Sequence, residues 1–208
     1  MTRKIHLLCM FLGTLAVPAV ADHQHAPAPA VTPPPLFDNL GTLHHPITTV
    51  SPHAQRYFDQ GLRLVYAFNH DEANRAFTEA ARLDPNCAIA YWGIAFTLGP
   101  NYNLPVDAER DRAAYDAIQK AVAVAPNASD AERAYIEAIA KRHVADPNAD
   151  RKALDAAFAD AMREVAKRYP DDLDAATLYS ESMMNLRPWG LWTHNGQPAP
   201  GTEEIVAT

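Results

Sequence analysis

Residues 57–85 read YFDQGLRLVYAFNHDEANRAFTEAARLDP, and this stretch decides the fold. Its apolar residues recur at helical spacing on both sides of Asn69, which predicts two amphipathic helices. Asn69 tolerates the left-handed conformation that ends helices, while Asp71 and Glu72 place negative charge in the first turn of the second helix. Pro85 then ends that helix. The stretch therefore predicts a pair of helices joined by a short turn.

Small residues indicate how this pair packs. Gly61 in the first helix, and Ala73 and Ala80 in the second, let the two backbones approach closely. We expect Phe77 to fill the gap between them. The same residues occupy the positions of a known repeat.

Their order resembles the tetratricopeptide repeat, a helix pair of 34 residues with an aromatic residue, a glycine, an Ala-x3-Phe step and a final proline. The matching residues are Tyr57, Gly61, Leu64, Ala73, Phe77, Ala80 and Pro85. The resemblance implies an all-α superhelix of stacked helix pairs with a concave inner face. The strings HHPITT (44–49), AFNHDEA (67–73) and NLRPWGLW (185–192) also resemble a family of longer exported bacterial tetratricopeptide-repeat proteins, which implies architecture and compartment but no activity.

The rest of the chain continues the helical pattern. No run of alternating apolar and polar residues is long enough for a strand, so the prediction is all-α. The prolines that end successive units, Pro85, Pro126 and Pro170, are 41 and 44 residues apart, so the later units carry inserted loops or longer helices. About three to four helix pairs are expected within residues 51–187. Helices are predicted at 51–68, 71–83, 86–98, 107–125, 129–144, 150–169 and 172–186.

The N-terminus is typical of a secretory signal peptide. Arg3 and Lys4 precede an apolar stretch over residues 7–20, and the small-x-small triplet that ends at Ala21 predicts cleavage after that residue. The apolar stretch is shorter than the roughly 20 residues that span a bilayer, so we expect no membrane anchor after cleavage. The protein is therefore expected to be periplasmic or secreted.

Two segments are expected to precede the first helix. Residues 22–35 contain five prolines and no apolar pattern, which favours an extended tether. Residues 36–50 are richer in Leu, Phe, Thr and His, and are predicted to be an irregular lead-in segment that docks on the first helix.

Charge and cysteine content limit the classes of function. Without Arg3 and Lys4 the chain has 16 basic and 25 acidic residues, a formal charge of −9, and no basic cluster. Nucleic acid and anionic membranes are therefore poor partners. Cys87 would be the single thiol after cleavage, so no internal disulfide is expected. We find no catalytic motif and expect no cofactor, so the chain is not predicted to be an enzyme.

The last segment suggests an incomplete repeat. Thr202, Glu203 and Glu204 are typical of a helix start, but the sequence ends at Thr208 before two turns are made. The helix at 172–186 has an apolar face without an obvious partner helix. We therefore expect residues 188–208 to be a poorly ordered loop and the start of an incomplete helix in a longer array.

The concave face is the predicted binding surface, formed by the first helix of each unit. An apolar, aromatic groove there suits an extended peptide or a helix, so the predicted function is an exported scaffold for a protein or peptide partner. In the alternative, the loop at 99–106 folds into the groove and makes these residues part of the core. The repeat register places Gln55, Phe58, Leu62, Tyr66, Ile89, Trp92 and Phe96 on this face.

Histidines provide the alternative function, binding or handling of a transition metal. His23 and His25 lie in the predicted tether, and His45, His53 and His70 are candidates for a shared site. Their spacing matches no metal motif, so no metal site is expected. His70 is also explained as a packed side chain in the turn between two helices.

Overall fold

The computed structural model describes residues 32–208, and within that range the chain is all-α. The predicted signal peptide and most of the predicted tether lie outside the described residues. Two isolated β-bridges occur, Asn101 with Leu104 and Trp192 with Pro198. No helix in the described range has both the length and the apolar character that crossing a membrane requires. The helices are α1 (Pro52–Tyr66), α2 (His70–Leu83), α3 (Ala88–Leu98), α4 (Ala108–Val124), α5 (Asp130–Ile139), α6 (Arg151–Arg168), α7 (Leu173–Asn185) and α8 (Thr202–Ala207), with a 3-10 turn at Ala125–Asn127.

Side-chain caps fix where most of the helices begin. Each capping oxygen accepts a hydrogen bond from a backbone N–H that has no partner inside its helix. Ser129 and Glu132 form a reciprocal capping box at the start of α5. The other capping side chains belong to Ser51 (α1), Asp107 (α4), Asp150 (α6) and Asp172 (α7).

The turn between α1 and α2 differs from the prediction at one residue. Phe68, rather than Asn69, has the left-handed conformation, with φ of 58° for Phe68 and −95° for Asn69. The Asn69 N–H donates to Leu64 O and the Phe68 N–H donates to Val65 O, each at 2.9 Å. These two bonds define a Schellman motif, which requires the left-handed residue one position earlier than we predicted.

The core begins where α2 packs between α1 and α3. Phe77 of α2 is fully buried, and a Cβ added at Gly61 or at Gly93 would lie within 2.6 Å or 2.5 Å of its ring. Only glycine fits at both positions because real Cβ atoms do not approach so closely. From this centre, α3 packs on α4 and α5, α5 packs on α6, and α6 packs on α7.

Helix α5 ends five residues earlier than predicted, at Ile139 instead of residue 144. The chain leaves the helix and turns Arg142 and His143 inward, where their side chains are 1% and 0% exposed. The Arg142 Nε donates to Asp155 at 2.8 Å, and the His143 Nδ1 donates to Asp111. Burial lowers the pKa of His143 to about 4, against the opposing effect of Asp111. These buried pairs explain the early end of the helix.

The lead-in segment docks on α1 through hydrogen bonds. The Tyr57 hydroxyl donates to Pro34 O and the Gln60 amide donates to Pro35 O, each at 2.9 Å. Docking therefore begins inside the range that we assigned to the tether. Thr49 donates to Asp84 at 2.6 Å and so fastens the other end of the segment to the end of α2.

The C-terminal segment packs on α6 and α7 through defined contacts. The N-cap of α8 is Gly201, with φ of 90°, and not Thr202. Thr202 is buried and its hydroxyl donates to Leu191 O at 2.6 Å. Glu204 accepts hydrogen bonds from Tyr179 and Arg163, which ties α8 to α7 and α6.

Candidate functional site

The predicted groove residues lie together, but most of them are buried. Phe58, Leu62, Ile89 and Trp92 are at most 2% exposed, and Phe96 is 4% exposed. Gln55 and Tyr66 are half-buried. Most of the groove is therefore filled, although not by the loop at 99–106 that the alternative named.

The covering elements are not the ones that we expected. Phe58, Leu62, Ile89 and Trp92 enclose a void of only about 10 Å³ together with His45, Tyr135, Asp174 and Leu178. This part of the groove is thus covered by the lead-in segment, α5 and α7. Tyr102 of the loop at 99–106 lies instead beside the remaining groove residues, Tyr66 and Phe96. Trp92 packs edge-on against Tyr135 of α5, with ring centroids 5.5 Å apart. These contacts join residues too distant in sequence for the repeat register to reveal them.

A hydrogen-bonded network lies beside this void. An ionised carboxylate can only accept, so the His45 Nδ1–H donates to Asp174, at 2.6 Å. Tyr66 donates to the other oxygen of Asp174 at 2.5 Å, and Tyr135 donates to Asp172 at 2.7 Å. Burial opposes protonation of His45, but Asp174 and the neighbouring carboxylates outweigh it and raise its pKa. The network fixes the start of α7 against α1 and the lead-in segment.

The same network contains a group of residues that could bind a metal ion. His45, Asp172 and Asp174 each offer a ligand atom within 4.8 Å of the other two. Neither His53 nor His70 joins this group, so the shared histidine site that we considered does not form within residues 32–208. His23 and His25 lie outside the described residues.

The open part of the site is a cavity of about 630 Å³ between α1, α3 and α7, which we name the α1–α3–α7 cavity. Two groove residues, Tyr66 and Phe96, line it at the C-terminal ends of α1 and α3. Most of its lining is apolar, and its volume is in the range of small-molecule sites. Further residues that line it include Phe68, His70, Tyr102 and Glu181.

Two of the lining residues carry buried polar atoms without a partner. Glu181 Oε1 accepts from Asn185 at 2.8 Å, but Oε2 has no partner, and neither ring nitrogen of His70 has one. Burial raises the pKa of the Glu181 carboxyl, although Arg142 and Asn185 oppose the rise. Burial and then Arg110 lower the pKa of His70, so its ring is neutral at pH 7. Unpartnered buried polar groups are few in native proteins and call for an explanation.

Three aromatic residues, two of them exposed and one half-buried, form a rim at the edge of the cavity. Phe68 and Tyr102 line it, and the Trp189 ring lies 5.2 Å from the Tyr102 ring, measured between centroids. Phe68 and Trp189 are 54% and 77% exposed, and they are the non-glycine residues of the described range with positive φ, 58° each. This conformation is costly for a bulky side chain, and such strain clusters at functional sites. We call Phe68, Tyr102 and Trp189 the aromatic rim.

Sequence reasoning missed the aromatic rim and Glu181. Glu181 follows Leu178 by three residues, and a charged residue on the apolar face of a helix was a readable signal. Trp189 and Phe68 carried no such signal because their conformations depend on neighbouring turns. Cys87 is fully buried, and burial raises the pKa of its thiol to about 12.

Comparison of the chain with protein-family models found no match. Comparisons with curated proteins and with solved structures likewise found none. The evidence for function therefore comes from the geometry of the site.

Proposed function

We propose that the chain is an exported tetratricopeptide-like repeat scaffold that binds a protein or peptide partner. In this proposal the part of the concave face that receives the partner is the α1–α3–α7 cavity with its aromatic rim. The groove residues outside the cavity lining, Phe58, Leu62, Ile89 and Trp92, are part of the core and do not touch the partner. The protein has no catalytic role.

The packing of α1, α2 and α3 supports the repeat architecture. Phe77 lies between Gly61 and Gly93, so one aromatic side chain joins the first helix pair to the start of the next. Stacking of this kind lets successive pairs share one continuous core. The secretory pattern at residues 1–21 supports export.

The main support for the proposed binding function is the cavity itself. It combines a volume of about 630 Å³ with an apolar lining and an aromatic rim that is exposed at its edge. Concave apolar sites with a few polar groups are typical ligand sites, and exposed aromatic residues are enriched where partners bind. The buried groove has only about 10 Å³ of free volume and offers a partner no comparable space.

Site-directed photocrosslinking tests this function. A photoreactive phenylalanine analogue is placed at position 102, in the aromatic rim, and at position 122 as a control, because Val122 of α4 is 49% exposed and lies outside the cavity lining. Crosslinking in the native exported fraction should give a discrete product from position 102 and none from position 122. Equal products from both positions, or a product from position 122 alone, would contradict the proposal.

A second candidate function is transition-metal binding by His45, Asp172 and Asp174. The closeness of one imidazole and two carboxylates favours it, since these ligands suit zinc and similar ions. The hydrogen bonds from Tyr66 and Tyr135 account for the same geometry without a metal. Metal analysis of the purified protein separates the two. Stoichiometric zinc that is lost in His45→Ala, but kept in His53→Ala, would establish the metal site, and its absence would dismiss it.

A further inference from the structure

Side chains of α1 bind the main chain of the lead-in segment. The Gln55 amide accepts from the Ile47 N–H at 3.0 Å and donates to His45 O at 2.8 Å. The Gln60 amide accepts from the Phe37 N–H at 2.8 Å. Hydrogen bonds to main-chain atoms supply affinity without fixing the side chains of the bound segment. A peptide of different sequence that follows the course of the lead-in segment can therefore make the same bonds.

One side chain of the lead-in segment is bound specifically. His45 Nδ1 donates to Asp174 at 2.6 Å, and its ring meets the edge of Tyr135, with centroids 6.2 Å apart. Only about 10 Å³ is free beside the ring, so a larger side chain has no room. Asp172 adds a second carboxylate, which accepts hydrogen bonds from N–H groups. We call Tyr135, Asp172 and Asp174 the histidine recess, because they select an imidazole by shape and by hydrogen bonding.

The lead-in segment is held more by polar contacts than by burial. All of residues 36–50 are exposed or half-buried, and Val50, where the segment joins α1, is 93% exposed. Segments with few buried apolar contacts open locally at a lower free energy than global unfolding requires. The Ser51 side chain caps α1, so the helix keeps its capped start when the segment leaves. The segment can therefore open as a unit while α1 stays folded.

We infer that this face of α1 and the histidine recess bind a histidine-containing segment of a protein partner, and that the lead-in segment is the built-in competitor. The inference goes beyond the proposed function, because it concerns a second ligand at a surface outside the α1–α3–α7 cavity. The incoming segment takes over the main-chain bonds to Gln55 and Gln60, and its histidine replaces His45. Its apparent affinity is reduced by the small fraction of molecules in which the lead-in segment is open.

His45→Ala separates the competitor from the site, because it weakens the lead-in segment and leaves the receiving groups unchanged. The probe is a peptide with the sequence of residues 34–51 and blocked ends, and the control peptide has alanine at the position of His45. In calorimetric titration, His45→Ala should bind the probe about tenfold or more tightly than the unaltered protein does, since loss of a charge-assisted hydrogen bond increases the open fraction by that factor. The control peptide should bind His45→Ala at least about tenfold more weakly than the probe. Equal affinity of the two proteins for the probe, equal affinity of the two peptides, or no binding of the probe to His45→Ala would overturn the inference.

Asp174→Asn tests the histidine recess when it is added to His45→Ala. It should abolish the preference for the probe over the control peptide, because the recess loses the carboxylate that receives the imidazole. Asp116→Asn, at an exposed residue of α4, is the matched control and should keep the preference. A preference that survives Asp174→Asn would show that the histidine binds elsewhere.

Hydrogen exchange of the unaltered protein tests the opening without any substitution. The Ile47 and Thr48 amides, which donate to Gln55 and Glu132, should exchange faster than the Phe77 amide of α2. Their exchange should respond little to low concentrations of denaturant, because local opening exposes little surface. If these amides exchange only through global unfolding, at the rate of Phe77, the lead-in segment does not open and the inference is overturned.

Discussion

Phe77 of α2 occupies the space that a side chain at Gly61 of α1 would need, since a Cβ there would lie 2.6 Å from Phe77 Cε1. A Cβ at Gly93 of α3 would lie 2.5 Å from the same ring. One aromatic ring therefore sets the separation of three helices. The packing of the first helix pair against the next depends on it.

Gly61→Ala should lower the free energy of unfolding by about 1–3 kcal/mol, because the added methyl group overpacks the contact with Phe77. Denaturant unfolding followed by circular dichroism measures this. Gly190→Ala is the control, since the one close contact of its added Cβ would be with the flexible side chain of Arg187, at 3.1 Å. Adding Phe77→Leu to Gly61→Ala should cost less than the sum of the two separate changes. Strict additivity would show that the clash is not the cause.

Phe68→Gly should separate stability from binding. Glycine adopts the left-handed conformation without strain, so the melting temperature should equal or exceed that of the unaltered protein. Binding to the α1–α3–α7 cavity should weaken, because the aromatic rim loses one member. Val50→Gly, at a residue that is 93% exposed and outside the cavity lining, should leave binding unchanged. A large fall in melting temperature would mean that Phe68 is held for packing and not for binding.

Trp92→Ala should destabilise the protein by about 3–5 kcal/mol, the usual cost of removing a buried aromatic side chain. Trp92 is 2% exposed and packs on Phe96 and Tyr135, with ring centroids 5.3 Å and 5.5 Å away. Tyr102→Ala, in the aromatic rim, should cost much less stability and weaken ligand binding. Chemical unfolding and titration of both variants check the pair. If Trp92→Ala instead weakened binding at little cost in stability, while Tyr102→Ala destabilised the protein, Trp92 would be a residue of an open groove.

Folding stability should fall as the pH drops from 6.5 towards 4, because of His143. Its pKa is about 4 in the folded protein against 6.5 as the ordinary value, so in this window the unfolded chain takes up a proton that the folded protein does not. The loss can reach about 3 kcal/mol. His70, with a lowered pKa, acts in the same direction. The stabilisation from His45, whose pKa is raised, is already complete below pH 6.5 and is lost only as the pH rises above that value.

His143→Gln isolates this contribution. The variant should be less stable at pH 7, because it loses a buried contact with Asp111, but its stability should fall less between pH 6.5 and 4. Unfolding curves at several pH values for both proteins provide the comparison. Equal slopes would show that His143 does not titrate as its burial requires.

The sequence was informative where the structure depends on neighbours along the chain. The helix pair around Asn69 and the close approach at Gly61 follow from local spacing, and the structure contains both. The left-handed residue was misplaced by one position, because the hydrogen bonds that Phe68 and Asn69 donate to the last turn of α1, and not residue type, decide it. The early end of α5 depends on buried partners of Arg142 and His143, which lie elsewhere in the sequence.

The site was less predictable because it is assembled from distant segments. His45 and Asp174 are 129 positions apart, yet their hydrogen bond fixes the element that covers the groove. The repeat register identified which residues of α1 and α3 lie side by side, but it contained nothing about α5 or α7. Only Tyr66 and Phe96 of the predicted groove therefore reach the open cavity.

The binding role of the α1–α3–α7 cavity is tested most directly by methyl NMR of protein labelled with ¹³C at its methionine methyl groups. Met184 lines the cavity, whereas Met162 of α6 is fully buried outside its lining and serves as the internal control. Titration with hexylamine, and separately with 1-hexanol, should shift the Met184 signal in a saturable way with at least one probe and leave Met162 in place. A Met184 signal that stays unmoved by both probes at saturating concentration, or equal shifts of Met184 and Met162, would contradict a binding site in this cavity.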